Sequence, residues 1–181
     1  METVGPKALD YTGQVADGWA GTSFVPSGAA ATLGHVQQGA VGAGRDPSTI
    51  EYQAGGAVQF GDEMEPLLAP RRPGVAFTLG AMGSPTTNFY NDAYRRGGFE
   101  TAAQQVQKLW VDGEREQAVE AVPDELILQT NFLGSVSEVT ERVRAYRDAG
   151  ISVLRVQPEG ADTQERLDSL GGIVDIVRSL N

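Results

Sequence analysis

Between Ser135 and Gly150, the apolar residues Val136, Val139, Val143 and Tyr146 recur at intervals of three and four, which places them on one face of a helix over 136–149. Ser135 and Glu138 frame its start as an S-x-x-E capping box, and Gly150 is the C-terminal stop. ISVLRV, over 151–156, is rich in β-branched residues and reads as a short strand, followed by an amphipathic helix over 163–180. Upstream, Pro6 opens a helix over 6–16 at a position where its missing N–H costs nothing, and Asp17-Gly18 closes it. WAGTSFV, over 19–25, reads as a short strand with its turn. A small-residue helix over 27–43 follows and ends at Gly44. After an Asp46-Pro47 turn, TIEYQAGGAVQF at 49–60 reads as a strand, whose Gly55-Gly56 pair signals a bulge or a close backbone approach.

From 62 to 149 the pattern is helical with breaks. Pro66 and Pro70 delimit a first short piece, and Pro73 favours a helix over 73–82 where periodicity alone leaves helix or strand open. Gly83-Ser84-Pro85 is a turn. Residues 86–111 carry helices broken at Gly97-Gly98, and 114–121 and 123–132 are two more. Strands alternating with helices predict an α/β fold with a parallel sheet, in one domain over 1–181. Only three strands are expected. Three parallel strands cannot close into a barrel and leave two open edges.

Composition narrows the function classes. The 24 acidic residues exceed the 14 basic ones, giving a net charge of −10 that is spread along the chain. That balance argues against a nucleic-acid partner, which needs a clustered basic surface. With no Cys and one His, no disulfide, thiolate site or multi-histidine metal site is expected. The apolar runs fall far short of the roughly 20 residues of a membrane helix, and residues 1–20 carry no secretion signal. The expectation is a soluble, cytoplasmic protein with no membrane partner.

Candidate chemistry is sparse. The chain contains no G-x-x-x-x-G-K-[ST], no G-x-G-x-x-G after a strand and no G-x-S-x-G. Gly39, Gly42 and Gly44 read as close-packing residues and a C-cap, and His35 as a surface or interface residue. Gly5-Pro6-Lys7 leaves free N–H groups at the positive end of a helix, a setting suited to an anion or phosphate. Ligands of parallel α/β folds bind beyond the carboxyl ends of the strands. Here those ends carry Thr22 and Ser23, then Gly61 and Asp62, then Arg155 and Gln157. Arg155 reads as a partner for an anionic substrate or cofactor, or for a surface carboxylate. Phe89, Tyr90, Tyr94, Phe99 and Trp110 read as helix packing or as an aromatic wall beside a planar cofactor.

Three stretches together resemble one family. GPKALDYTGQVADGW is similar to the segment after the fifth barrel strand of luciferase-like monooxygenases, above all those using a deazaflavin. FTLGAMGSPTTNFYNDAYRRGGF resembles the helical segment after their seventh strand. VPDELILQTNFLGSVSEVTERVRAYRDAGISVLRVQP resembles their last helix pair and eighth strand. The resemblance covers nearly the whole chain in order. It implies part of a (β/α)8 TIM barrel, about strands six to eight with their helices and a helical insertion.

The implied activity is hydride transfer on a small organic substrate with coenzyme F420 (8-hydroxy-5-deazaflavin) or, alternatively, FMN, as in methylenetetrahydromethanopterin reductase. The loop matching Val4, Gly5, Pro6 and Lys7 would lie against the cofactor; Thr22, Ser23 and Arg155, at the strand ends, are the candidates for binding the substrate. Phe24 and Val25 stand where a sugar-phosphate member has a lysine, so a sugar phosphate is not expected. No catalytic acid or base can be carried over. At 181 residues the chain is short of the roughly 250 of a full barrel. Four strands and most of a fifth would have to come from a second copy, from a complementary N-terminal half-barrel chain, or from sequence missing through a truncated gene record. Alone, such a half-barrel is expected to expose an apolar barrel interior; a non-catalytic half-barrel subunit or binding module is the alternative.

Overall fold

The computed structural model describes residues 1–84 and 86–180, so the Pro85 position of the expected 83–85 turn lies outside the described residues. Helix α1 (Pro6–Val15) leads to β1 (Gly18–Ala20), a 3-10 turn at Pro26–Gly28 and α2 (Ala30–Gly42), and then to the long strand β2 (Glu51–Phe60). Six short helices follow: α3 (Met64–Leu68), α4 (Arg72–Ala81), α5 (Phe89–Tyr94), α6 (Glu100–Val111), α7 (Arg115–Glu120) and α8 (Asp124–Thr130). The chain then returns through β3 (Phe132–Gly134), α9 (Val136–Asp148), β4 (Val153–Pro158) and α10 (Thr163–Ser179).

All ladders are parallel, and β2 is their common partner. Gln53 pairs with both Ala20 and Val153, and Val58 with both Phe132 and Pro158. Strand β4 therefore follows one edge of β2, while β1 and then β3 take successive stretches of the other. Glu2 adds a parallel bridge to Ala20, and the Ala20 N–H donates to the Met1 carbonyl at 2.8 Å, so the N-terminal segment borders β1.

Along β2, Tyr52, Ala54 and Val58 are buried, whereas the alternate residues Glu51, Gln53, Gly55, Ala57 and Gln59 are half-buried or exposed. The buried face joins Trp19, Phe132, Leu9, Val36, Val139, Tyr146, Ile173 and Ile176 in one core under α1, α2, α9 and α10. Gly13 and Gly39 let α1 and α2 touch: a Cβ on either would stand 1.9 Å from a carbonyl oxygen of the other helix. Gly39 thus has the packing role its sequence suggests, and Gly44, at φ 73°, ends α2. Gly42 meets no neighbour that a Cβ would touch. A second core lies within the insertion, where Leu68, Leu79, Tyr94, Val106, Leu126, Ile127 and Leu133 pack together.

Several expectations need correction. Within the strand and turn expected over 19–25, the strand ends at Ala20, because Gly21 sits against the Trp19 ring and Ser23 adopts a left-handed φ of 55°. The helix expected over 123–132 ends at Thr130, and Phe132–Gly134 forms a fourth strand. The last strand spans 153–158 rather than 151–156. The Gly55-Gly56 pair marks close approach: Cβ atoms there would lie 1.8 Å from the Arg155 oxygen and 2.0 Å from that of Thr130. The sheet face turned away from the four covering helices carries Gln53, Gln59, Arg155 and Gln157 and is polar, not the apolar interior expected. No described helix is long and apolar enough to cross a membrane.

Candidate functional site

Val4 to Lys7 stand where the N-terminal segment leaves β1 and turns into α1. Gly5 is the N-cap, extended at φ −77° and ψ 147°, with no side-chain cap and no acidic residue in the first turn. The first intrahelical bond runs from the Leu9 N–H to the Gly5 carbonyl at 2.9 Å. Pro6 has no N–H, which leaves those of Lys7 and Ala8 pointing out of the positive end of the helix dipole. Residues 2–8 and the rings of Phe89 and Tyr90 line an open groove of about 970 Å³. Phe89 is 58% exposed, and its ring edge lies 3.7 Å from where a Gly5 Cβ would stand.

Both sides of the segment are tied down. The Trp19 Nε1–H donates to the Thr3 carbonyl at 3.0 Å, and the Thr3 and Thr12 hydroxyls are 2.8 Å apart. From the insertion, Arg96 Nη2 donates to the Val4 carbonyl at 2.9 Å. Burial disfavours the Arg96 charge, partly offset by Asp92.

The turn after β1 carries Thr22 and Ser23. The Thr22 hydroxyl oxygen is buried without a hydrogen-bond partner. Burial pushes the Tyr94 phenol up, partly offset by the neighbouring Ser23 hydroxyl, so Tyr94 stays protonated. Phe24 enters the sheet core edge-on to Trp19 and Tyr146, while Val25 enters the core of the insertion. This one loop joins both cores.

Arg155 lies on the polar face of β4, exposed, level with Gly55. Gly55 presents no side chain there, so the guanidinium crosses β2 and donates through Nη2 to the Gly21 carbonyl at 3.1 Å. The expected alternative, a carboxylate partner, is not what it has. Thr22, Ser23 and Arg155 thus meet at the end of β1. Gly61 donates to the Gly134 carbonyl at 3.1 Å, Asp62 is exposed, and Gln157 Nε2 donates to Glu159 at 3.0 Å.

The aromatic cluster divides. Phe89 and Tyr90 face the groove, whereas Tyr94, Phe99 and Trp110 pack in the insertion. His35 is half-buried on α2, apart from the strand ends. Sequence reasoning missed Arg71 and Arg96. Arg71 bonds Leu67 and Gln59 oxygens at 2.7 and 3.3 Å; burial lowers its pKa, and nearby Glu159 partly offsets this. Both arginines sit at helix breaks marked by proline or glycine. That is the one local signal the sequence offers, and it gives no direction for the side chain.

Residues 1–152 match the family described as luciferase-like monooxygenase. A protein of Mycobacterium tuberculosis named after coenzyme F420-dependent oxidoreductases is 29% identical over 168 residues, covering 92% of this chain and 48% of the relative. The phthiodiolone/phenolphthiodiolone dimycocerosates ketoreductase of Mycobacterium kansasii is 32% identical over 164 residues, covering 84% and 42%. The chain spans about half the length of the curated relatives it matches.

Two solved structures share the fold. The coenzyme F420 dependent tetrahydromethanopterin reductase of Methanopyrus kandleri superposes with a TM-score of 0.68 at 19% identity, over 94% of this chain and 48% of that one. An F420-dependent secondary alcohol dehydrogenase, in complex with an F420-acetone adduct, gives 0.61 at 17% identity, over 97% and 47%.

Proposed function

This chain belongs to the luciferase-like monooxygenase family, and from that premise we propose that it forms part of an oxidoreductase that uses coenzyme F420 to transfer hydride to or from a small organic substrate. The observation that carries the reading is the groove at α1, where helix-terminal N–H groups and an exposed aromatic ring stand side by side. The residues fit such a cofactor by their donor set: the Lys7 and Ala8 N–H groups suit an anionic or hydroxylated tail, and Phe89 suits a flat, apolar ring. FMN shares that chemistry and is the alternative; the F420-dependent relatives favour the deazaflavin. When bound, the cofactor would supply the hydride in its reduced form or accept it in its oxidised form.

The chain's own residues bind, orient and exclude water. Val4, Gly5, Pro6 and Lys7 hold the cofactor from the helix end. Thr22, with an unpartnered hydroxyl, and Ser23 offer hydrogen bonds to the substrate, and Arg155 offers a charge. Residues 1–181 act as one domain, the C-terminal portion of a TIM barrel. Its completion needs strands on the outer edge of β4, which pairs only with β2 among the described residues. Beside that edge, α10 exposes Leu167, Leu170 and Val174 along one stripe, a face suited to the helix of an added βα unit. A second copy, a complementary N-terminal half-barrel chain or further sequence of the same protein would supply it.

Gly5→Asp tests the site. Aspartate is the better N-cap, so α1 keeps its stability, while the new carboxylate occupies the anion position. Titration with F420 should show binding weakened roughly tenfold or more, with an unchanged melting temperature. Undiminished binding would place the cofactor elsewhere.

A further inference from the structure

The 4–7 segment is held from the insertion by one hydrogen bond that spans 92 residues of sequence, from Arg96 Nη2 to the Val4 carbonyl. Arg96 owes its direction to a break in the helix: Arg95–Phe99 form a π-helical turn with Gly98 at φ 102°, between α5 and α6. Such turns shift side chains off the regular helical register and are frequent at functional sites. The two adjacent arginines consequently part. Arg95 pairs with Asp92 and Glu100 on the surface, at 3.4 and 3.0 Å. Arg96 instead reaches the Val4 carbonyl and makes no ion pair among the described residues, while the Nε of both arginines is buried without a partner.

The turn is itself fixed in place. A Cβ on Gly28 would stand 2.3 Å from the Gly97 Cα, and Ser27 Oγ donates to the Gly97 carbonyl at 3.3 Å. A flexible surface arginine would gain nothing from this anchoring. A fork that must reach one backbone oxygen at the mouth of a groove does.

We infer that Arg96 is a positioning residue: by clamping the Val4 carbonyl to the insertion, it fixes the turn at Gly5 so that the first N–H groups of α1 face the cofactor groove. The inference rests on the cofactor reading of residues 4–7. It couples two regions that the sequence keeps far apart, and it gives the insertion a role in setting cofactor affinity. Phe89 and Tyr90 reach the same groove from α5, so ring and clamp arrive on one rigid piece.

The test uses the full chain, with Arg96→Ala and Arg96→Lys compared with wild type in two arms. Amide exchange at Leu9, whose N–H closes the first turn on Gly5, reads the loop without any cofactor. It should quicken roughly tenfold in R96A and less in R96K, which keeps one donor, while amides of β2 stay protected. Affinity for F420, followed by its fluorescence, should fall in the same order, by about tenfold or more in R96A. Unchanged Leu9 exchange in both variants overturns the positioning role, whatever the cofactor does. If exchange quickens but wild type itself ignores F420, the positioning role stands and the cofactor reading fails. Should R96A not fold, R96K decides by the same two readings.

Discussion

The sheet layer and the helical insertion are two cores of similar extent, closed by different means. The sheet core draws on parallel ladders between segments far apart in sequence, and its contacts are almost wholly apolar, with Trp19, Phe132 and Tyr146 at the centre. The insertion stacks helices as short as five residues, which cannot hold their own shape in water. Buried amides specify it. Asn88 Nδ2 donates to the Thr78 and Leu79 carbonyls at 3.2 and 3.0 Å, and Asn91 Nδ2 to those of Leu79 and Ala103 at 2.9 and 2.8 Å. Volume rules one core and polar geometry the other. The candidate site lies where they meet, on the 21–25 loop and the Arg96 clamp.

Changing volume in the sheet core should have the largest effect. Phe132 is fully buried, with its ring 5.0 Å from that of Tyr146. Phe132→Ala should cost about 3–5 kcal/mol and lower the urea midpoint of the whole chain. Asn91→Ala should act on the other core alone. It strips the Ala103 carbonyl of its side-chain donor and leaves that of Leu79 to Asn88 alone, at a cost of about 1–3 kcal/mol. Hydrogen exchange should then show α4–α6 opening while β2 stays protected. Equal loss in both regions would show the two cores to be one cooperative unit.

Smaller effects sharpen the contrast. Ser135 and Glu138 form the capping box of α9, and Ser135→Ala should cost about 1 kcal/mol. The box also sets a pH dependence. The Ser135 hydroxyl, then its backbone N–H, hold the Glu138 carboxyl below its ordinary 4.5, and Arg142 adds a minor pull. A lowered folded pKa means stability present above the ordinary value and lost as pH falls through the folded one. Melting temperature should therefore drop below about pH 4.5, and more gently in the Ser135→Ala variant. Least of all, Arg155→Ala should shift stability by no more than about 0.5 kcal/mol, since the side chain is exposed. Turnover should nevertheless fall roughly tenfold if Arg155 meets the substrate.

The sequence makes the regular parts of this division legible. The box at Ser135, the stop at Gly150 and the close backbone approach at Gly55-Gly56 follow from local chemistry, and the structure carries each. Short elements set by tertiary contacts are not legible. Phe132–Gly134 is too brief for any period, and it becomes a strand because Asn131 Oδ1 accepts from the Ala57 N–H at 3.0 Å where β1 has left the edge. Ser23 gives no hint of its left-handed φ. At the site, Gly5-Pro6-Lys7 reads as an anion setting from helix physics alone. Arg96 remains hidden because its target is a backbone oxygen 92 positions away.

The groove between α1 and Phe89 is proposed to hold coenzyme F420. Titration of the purified chain with oxidised F420, in parallel with FMN, tests it most directly through quenching of cofactor fluorescence. Saturable quenching by F420 in preference to FMN is expected, weaker than micromolar for the chain alone, tighter once the β4 edge is paired, and reduced by Gly5→Asp. Tight FMN binding with none of F420, or F420 binding indifferent to Gly5→Asp, would contradict it.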